Sequence, residues 1–487
     1  MVDRTRERAL GACRAREGSR HARHARARPH RDHDATRDEP SRGPPGGPVS
    51  SRHLAVLLYG RHVADLEQTR GGQHLLNYRS DPGATPISLT MPLAGGPFAQ
   101  RVVDPFLDGL LPERQAAREA MSREFDVSAR NPFALLAHMG LDCAGAVQFC
   151  AEDEVADVLA RRGTLVALSD DDIEERLSEL RTNPGASWLA PRERWSLAGA
   201  QAKFALRREG DAWYEATGAE ATTHIVKPGV DGFRSQALNE HICLQTARRA
   251  GLPAALSRFE RFRGETALIV ERYDRRRDDA GTLGRLHQED LCQATGTYPA
   301  DKYESDGGPR AVQIVDLLRT QSTRRFRQSN LDAFVDSLAF NVLIQAPDAH
   351  AKNYSVLLAE SAVRLAPLYD VASGAPYDSA GQTGLRTSAM AVGGRREFVQ
   401  IGLDRWSRFA REAGLEPDAV TGRVLDLAER LPDAMTDAFV AEAERGEPEV
   451  GELRARMLGP IARSCKVLRG QRARQGRAPD HDAGSDQ

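Results

Sequence analysis

One segment in the second half of the chain constrains the fold more than any other. Apolar side chains recur at helical spacing over residues 331–345 and share one helix face: Leu331, Phe334, Val335, Leu338 and Val342. The polar loop "PDAHAKN" follows at residues 347–353, and two apolar stretches, "YSVLL" and "AVRLAPL", then lead to Asp370. This order predicts a buried helix, a polar loop and a strand pair that ends in an aspartate.

The rest of the chain divides into regions of different pattern. A length of 487 residues favours two or three domains. We predict a small α+β unit over residues 53–152, which opens with a hairpin turning at Gly60 and includes a strand at "PISLTMPL", residues 86–93. A strand-rich region follows over 153–275, and a mainly helical region over 276–470. The predicted fold class is therefore α+β, with a strand-rich lobe and a helical lobe.

Both ends of the sequence have the composition of disordered segments. Residues 1–52 are rich in Arg and His and contain almost no large apolar side chains. They cannot bury enough apolar surface to offset the entropy lost on ordering. We expect a disordered basic extension that is dispensable for folding, rather than an arm that binds nucleic acid. Residues 471–487 are expected to form a disordered tail.

The cysteines and the apolar runs bear on the cellular compartment. Six cysteines are scattered without a C-x-x-C pair, which favours reduced thiols over a zinc site or a disulfide framework. No apolar run reaches the roughly 18 residues that a membrane-spanning helix needs. No apolar segment follows the basic residues as it does in a secretory signal. We therefore expect a cytoplasmic protein without a membrane partner.

The polar loop and Asp370 have the spacing that transfer of a γ-phosphoryl group needs. In protein kinases the base and one metal ligand are spaced Asp-x-x-x-x-Asn, and a second metal ligand is an Asp after a further strand pair. Asp348, Asn353 and Asp370 fit this spacing. Their oxygen atoms suit Mg²⁺. An Asp and an Asn at this distance also occur in solvated turns, so the helix, loop and strand pair around them give the pattern its weight.

The strand-rich region contains candidates for a phosphate-binding loop and its lysine. Gly199, flanked by alanines in "SLAGAQAK" at residues 196–203, would let backbone N–H groups approach phosphate oxygens. Lys227 ends an apolar run and could pair with the phosphates, and Glu240 on the following helix could pair with Lys227. The other interpretations are a plain turn for the Gly199 loop, a strand-end lysine that reaches solvent for Lys227 and a solvated helix start for Glu240. Their order along the chain is that of a kinase.

These segments together resemble the HipA family of toxin kinases from type II toxin–antitoxin systems. The resemblance covers about residues 53 to 430 and is carried by "PISLTMPL", "FLDGLLPE", "NPFALLAHMGLDCAGAV", "SLAGAQAKFAL", "THIVKPG", "NEHICL", "VERYDR", "RLHQEDLCQATG", "KYESDGGP", "DAHAKNYSVLL" and "LYDVAS". It implies a two-lobed protein-kinase-like fold. The small α+β unit would precede a strand-rich N-lobe with the phosphate loop and a helical C-lobe with the catalytic loop.

The resemblance implies a role for each residue of the site. Asp348 would be the catalytic base, Asn353 and Asp370 would hold Mg²⁺, and Ser196 would be the autophosphorylation site. The residues that would bind ATP are Ala198, Gly199, Ala200, Gln201, Ala202, Lys203, Lys227, Glu271, Arg272, Tyr273, His350, Asn353, Tyr369 and Asp370. A phosphate on Ser196 would repel those of ATP and switch the kinase off. The other interpretation of Ser196 is a loop hydroxyl without a regulatory role.

The resemblance also implies a substrate and partners. The expected activity is ATP-dependent phosphorylation of serine or threonine in an aminoacyl-tRNA synthetase, with glutamate–tRNA ligase the first choice, so that translation stops. The expected partner is a HipB-like helix-turn-helix antitoxin, through which the chain would meet operator DNA. Arg395 and Arg396 in "GGRREF" could touch that DNA directly or form a solvated turn.

Two other functions stay open. A small-molecule kinase on the same fold would share the base and the metal ligands. A catalytically silent corepressor would only help an antitoxin bind DNA, although it would have no need for Lys227 together with Asp348, Asn353 and Asp370. Pro347 stands where protein kinases have an arginine that receives an activation-loop phosphate, so activation by that route is not expected.

Overall fold

The structure, a computed structural model, describes residues 53–183, 185–377 and 383–475. The predicted basic extension, residues 1–52, lies outside these ranges, as do residues 476–487 of the predicted tail. Residues 471–475 belong to the last helix, which ends at Gln475. The helical region therefore extends beyond residue 470, which we had predicted to be its end.

The first part of the described chain is a five-stranded antiparallel sheet with three helices. Its elements are β1 (His53–Leu58), β2 (Arg61–Gln68), β3 (His74–Tyr78), β4 (Phe98–Ala99), α1 (Gln100–Gly109), α2 (Gln115–Phe125), α3 (Pro132–Met139) and β5 (Val147–Cys150). The strand order is β4-β3-β2-β1-β5. Tyr59 and Gly60 form the β1–β2 turn with positive φ angles of 52° and 71°, which confirms the hairpin predicted at Gly60.

The strand predicted at residues 86–93 is wrong. Only an isolated bridge joins Ser88 to Met91. The Leu89 N–H, which a neighbouring strand would need, donates instead to the Glu289 carboxylate at 2.8 Å, and Ser88 Oγ donates to the same carboxylate at 2.5 Å. The segment is therefore held by a contact with the distant C-lobe, which local alternation of side chains cannot reveal.

The strand-rich lobe follows and has a six-stranded sheet. Its elements are α4 (Val155–Leu159), β6 (Gly163–Leu168), α5 (Asp170–Thr182), β7 (Phe204–Glu209), β8 (Ala212–Gly218), β9 (His224–Pro228), α6 (Gln236–Arg249), β10 (Ser257–Phe262) and β11 (Glu265–Glu271). The strand order is β10-β11-β9-β7-β8-β6. Strand β9, which carries Lys227, is thus an inner strand, and α6 packs against β10 and β11.

The remaining elements form the mainly helical lobe. They are β12 (Arg275–Arg277), β13 (Leu283–Arg285), β14 (His287–Asp290), α7 (Leu291–Thr295), α8 (Ala311–Gln321), α9 (Arg327–Leu343), β15 (Ser355–Ala359), β16 (Ala362–Leu365), β17 (Thr387–Val392), β18 (Arg395–Glu397), α10 (Leu403–Glu412), α11 (Pro417–Glu444) and α12 (Val450–Gln475). Helix α9 and the β15–β16 pair confirm the predicted helix and strand pair. In the described ranges, every helix is too short or too polar to cross a membrane.

Two large apolar cores hold the described chain together. One is built on α6 and the helices of the C-lobe. The other joins the N-terminal sheet to the N-lobe sheet, since Val56 and Phe149 belong to the same cluster as Phe204, Val226 and Ile269. The predicted α+β class is confirmed, but the boundary predicted at residue 152 does not separate two cores.

Candidate active site

Lys227 lies at the centre of a buried ion cluster between the two lobes. Its Nζ donates to Glu240 Oε1 on α6 at 2.7 Å and to Asp370 Oδ1 at 2.8 Å. Only 6% of the Lys227 side chain and 1% of the Glu240 side chain are exposed, against 34% for Asp370. Asp370 follows β16 in a left-handed conformation, with φ of 56°. One lysine therefore ties strand β9, helix α6 and the loop after β16 together.

The charges of this cluster follow from their mutual contacts. Burial by itself would lower the pKa of Lys227, but the Asp370 and Glu240 carboxylates outweigh it and raise that pKa. Burial would raise the pKa of Asp370, but Lys227 and Lys203 hold it well below its usual range. Burial raises the pKa of Glu240, and Lys227 opposes that rise. Lys227 is thus protonated and Asp370 ionised at neutral pH.

The polar loop after α9 presents Asp348 and Asn353 to the same place. Asn353 Nδ2 donates to the Asp348 backbone carbonyl at 2.7 Å, and the His350 N–H donates to it at 2.9 Å. The Asp348 carboxylate lies at the surface and accepts a hydrogen bond from the Tyr303 hydroxyl. His350 is buried, and burial lowers its pKa to about 4, so its ring is neutral. The loop is therefore folded around Asp348.

Half of the residues that line the pocket beside Asp348 have a side-chain oxygen, and the others are alanine or valine. Asn341, Asp348, Asn353 and Asp370 border it, and Asn341 Oδ1 is buried there without a hydrogen-bond partner among the described residues. Oxygen donors of this kind fit Mg²⁺. No group of three His, Cys, Asp or Glu side chains in the described ranges could hold an ion alone. Mg²⁺ is commonly completed by substrate phosphates, so Asn353 and Asp370 fit such an ion.

The candidate phosphate loop, residues 198–203, is closed by its own lysine. Lys203 Nζ donates to the Ala198 carbonyl at 2.8 Å. Gly199 has φ of 106°, a backbone conformation that other residues rarely adopt, so the loop favours glycine at this position. Gln201 donates to the carbonyl of Pro228 at the end of β9 at 2.9 Å. Burial and Lys227 together lower the pKa of Lys203 to about 8.

Ser196, the predicted autophosphorylation site, is buried in this conformation. It has no exposed surface, and its Oγ donates to the Leu110 carbonyl at 2.7 Å. The Glu113 N–H, near the end of α1, also donates to the Gly199 carbonyl at 2.9 Å. The phosphate loop is therefore held against the N-terminal unit, and Ser196 can meet a phosphate only if this stretch moves out.

The side chains of Glu271, Arg272 and Tyr273, which were predicted to bind ATP, point in different directions. Glu271 pairs with His224 and Leu268 with Lys227, so the Glu271 side chain lies on the sheet face opposite Lys227. The Arg272 side chain is buried away from the site. The Tyr273 ring lies 5.8 Å from that of Tyr369, centroid to centroid, at the junction of the lobes. The backbone N–H groups of Glu271 and Arg272 already donate to the carbonyls of Leu256 and Thr223. The rings of Tyr273 and Tyr369 are therefore the groups here that could meet a purine.

Sequence reasoning missed the cluster that fixes this segment. Arg272 donates to Asp142 Oδ2 at 3.1 Å and to Asp274, and Arg275 donates to Asp142 Oδ1 at 2.8 Å. Arg285 also pairs with Asp142. The density of arginines after β11 was a signal that charged partners must exist, but nothing in the sequence pointed to Asp142, which is far away in the N-terminal unit.

The remaining predicted contact lies elsewhere on the chain. Arg395 and Arg396 form strand β18, and Arg395 is exposed, whereas Arg396 donates through Nε to the Ser388 carbonyl at 2.9 Å. Neither is among the residues that border the Asp348 pocket. A contact with DNA there stays a prediction.

Comparison with known proteins bears on this arrangement. Two family models match the chain: the HipA N-terminal domain over residues 54–150 and the HipA-like C-terminal domain over residues 195–435. Y4mE of Sinorhizobium fredii, a protein classed as a kinase candidate, is 35% identical over 398 residues, which are 80% of this chain and 92% of that protein. The serine/threonine-protein kinase toxin HipA of Shewanella oneidensis is 29% identical over 398 residues, 80% of this chain and 88% of that protein.

A solved structure has the same fold over nearly its whole length. It is HipA from the toxin–antitoxin complex of Shewanella oneidensis HipA, HipB and operator DNA, with a TM-score of 0.73 and 25% sequence identity. The match covers 86% of this chain and 97% of that one. The predicted two-lobed kinase-like fold is thereby confirmed. With the matches to both family models, the chain belongs to the HipA family of kinases.

Proposed function

We propose that this chain is an ATP-dependent serine/threonine protein kinase that acts as the toxin of a HipA/HipB-type toxin–antitoxin system. The observation that carries the proposal is the convergence of Lys227, Asp348, Asn353 and Asp370 at one cleft between the lobes, from three separate segments. These residues supply a phosphate-binding cation, a base and two oxygen ligands. A protein that only assisted DNA binding would have no use for them in one place.

Each of these residues would have its own part in phosphoryl transfer. Lys227, held by Glu240, and the N–H groups of the phosphate loop would bind the phosphates of ATP. Mg²⁺, held by Asn353 and Asp370, would neutralise charge that builds up on those phosphates. The acceptor hydroxyl would pass its proton to the Asp348 carboxylate as its oxygen attacks the γ-phosphorus and ADP leaves. Tyr273 and Tyr369 would provide an apolar wall for adenine.

Autophosphorylation of Ser196 would act as the off-switch. Ser196 is two residues before the phosphate loop and is covered by the N-terminal unit. A phosphate group there could not return to the buried position beside the Leu110 carbonyl, because an unpaired dianion is costly to bury. The loop that should bind ATP would therefore stay displaced.

The substrate and the partner follow from the family. We propose an aminoacyl-tRNA synthetase as the acceptor, with glutamate–tRNA ligase the first to test, and a helix-turn-helix antitoxin through which the chain meets operator DNA. The structure neighbour is a complex of HipA, HipB and operator DNA, which supports this choice of partner.

The experiment measures label transfer from γ-labelled ATP in the presence of Mg²⁺. Three samples are compared: the protein alone, the protein with glutamate–tRNA ligase, and the protein with a mixture of small metabolites that carry hydroxyl groups. Asp348→Asn is the control variant. Label on the ligase, or on Ser196 by peptide mapping, that is lost in the control is the expected result. Label only in small molecules would instead favour a metabolite kinase, and ATP binding without any transfer would favour the silent corepressor.

A further inference from the structure

Tyr303, which has no role in the function proposed above, contacts the proposed base. The Tyr303 hydroxyl donates a hydrogen bond to Asp348 Oδ1. The Tyr303 ring also meets the buried His350 ring edge-on, with centroids 4.8 Å apart and planes at 85°. The Asp348 carboxylate lies at the surface on a loop, where an aspartate side chain can adopt several rotamers. A hydroxyl fixed beside it would select one of them.

The loop that carries Tyr303, residues 302–309, is held from two sides and by a hydrogen bond within the loop. On its first side, Lys302 Nζ pairs with Glu113 Oε2 of the N-terminal unit at 2.5 Å, with both side chains largely buried. On its second, Glu304 accepts a hydrogen bond from the Ala391 N–H of β17 at 2.6 Å. Within the loop, the Gly308 N–H donates to the Tyr303 carbonyl at 2.9 Å.

Glycine at position 308 is part of this fixation. A Cβ there would lie 2.1 Å from the Asp301 carbonyl oxygen, so the loop can close this tightly only around a glycine. Because the loop is fixed, the Tyr303 hydroxyl is held in one position. A tyrosine that served as a gate over the carboxylate would instead need a mobile loop.

We propose that Tyr303 is a positioning residue that orients the Asp348 carboxylate for phosphoryl transfer. Its hydroxyl donates to Oδ1 and so fixes the rotamer in which the carboxylate would receive the proton of the acceptor hydroxyl. Misplacement of a base by a fraction of an ångström reduces the rate of proton transfer without affecting substrates bound elsewhere. This inference rests on the proposed function, because it acts only through Asp348 as the base.

The test compares wild type with Tyr303→Phe, which removes the hydroxyl but keeps the ring against His350. We expect kcat for phosphoryl transfer to fall about tenfold, the value of one lost orienting hydrogen bond. The Kd for MgATP, the KM for the acceptor and the Tm should stay unchanged. Tyr298→Phe is the matched control, since Tyr298 is a 40% exposed tyrosine just before the loop, and it should leave kcat unchanged.

The other outcomes overturn the inference. An unchanged kcat would show that the hydroxyl does not orient the base, and a raised kcat would show that Tyr303 blocks the acceptor. A fall in kcat that came with a lower Tm or weaker MgATP binding would reveal a merely structural role. Asp348→Asn is run beside these variants: if wild type transfers no phosphate, the proposed function fails with it, whereas active wild type with inactive Asp348→Asn confines any failure to Tyr303.

Discussion

The fold lowers the pKa of one residue, Lys203, towards neutral pH. Its ammonium group is buried beside the Ala198 carbonyl and faces Lys227, which is itself held protonated by Asp370 and Glu240. Burial and the charge of Lys227 lower its pKa from 10.5 to about 8. The phosphate loop therefore carries its full positive charge below that pH and loses it above.

This charge predicts a pH dependence of nucleotide binding. Because Lys203 loses its proton around a pKa of about 8, the affinity for MgATP should change little below about pH 7 and weaken as the pH rises through 8 towards 9. Bound phosphates would favour the protonated lysine, so binding should also take up protons near pH 8. Titration calorimetry in buffers of different ionisation enthalpy measures both effects.

Lys203→Met is the control for this dependence. The variant should bind MgATP more weakly at pH 7 and show the same affinity at pH 9 as at pH 7. A variant that kept the slope of the wild type would mean that another group is responsible for it.

At the scale of elements, one buried cluster joins the N-terminal unit to the segment that links the lobes. Asp142, which follows α3, is 2% exposed and accepts hydrogen bonds from Arg272, Arg275 and Thr222. These arginines hold the pKa of Asp142 well below its usual range, in spite of its burial. The carboxylate is thus ionised and fully paired.

Removal of this charge should be costly. Asp142→Asn would leave the buried guanidinium groups of Arg272 and Arg275 short of a partner, and we expect the free energy of unfolding to fall by roughly 3–5 kcal/mol. Urea denaturation followed by circular dichroism measures it. Asp157→Asn is the comparison: its pair with Arg162 is well exposed, at 58% and 72%, and its removal should cost less than about 1 kcal/mol.

The elements that could be predicted from the sequence are those whose signal is local. Helix α9, the loop around Asp348 and the β15–β16 pair are contiguous, and each leaves a pattern within a few residues. Lys227 and Asp370 lie together as their order along the chain predicted, although their roles stay predictions.

What could not be predicted depends on partners far apart in the chain. The strand expected at residues 86–93 is replaced by a contact with Glu289, about 200 residues away. The contact of Tyr303 with Asp348 and the pairing of Asp142 with Arg272 are of the same kind. A sequence shows that such polar groups need partners, since buried charges are rarely left unpaired, but does not show which ones.

For the whole molecule, the shared apolar core makes the N-terminal unit part of the kinase. The cluster that contains Val56, Leu136 and Phe149 also contains Trp195, which adjoins Ser196 before the phosphate loop. Through this core the N-terminal unit supports the phosphate loop. Through the Asp142 cluster it supports the segment that links the lobes.

A fragment therefore should not fold by itself. We expect residues 53–152, produced alone, to show no cooperative thermal transition and to bind a hydrophobic dye, because apolar side chains that belong to the cluster with Trp195, Phe204 and Val226 would be exposed. A sharp transition with native-like circular dichroism would contradict this view of the core.

In the proposed reaction, Asp348 takes the proton of the acceptor hydroxyl while the phosphoryl group leaves a nucleotide held by Lys227, Asn353 and Asp370. The most direct test is a single-turnover measurement of γ-phosphate transfer with MgATP in excess of its Kd, made on wild type and Asp348→Asn together with MgATP binding. We predict equal binding and a loss of transfer of at least about a hundredfold in the variant, the lower end of what a general base contributes. Transfer at the wild-type rate in Asp348→Asn would show that Asp348 is not the base.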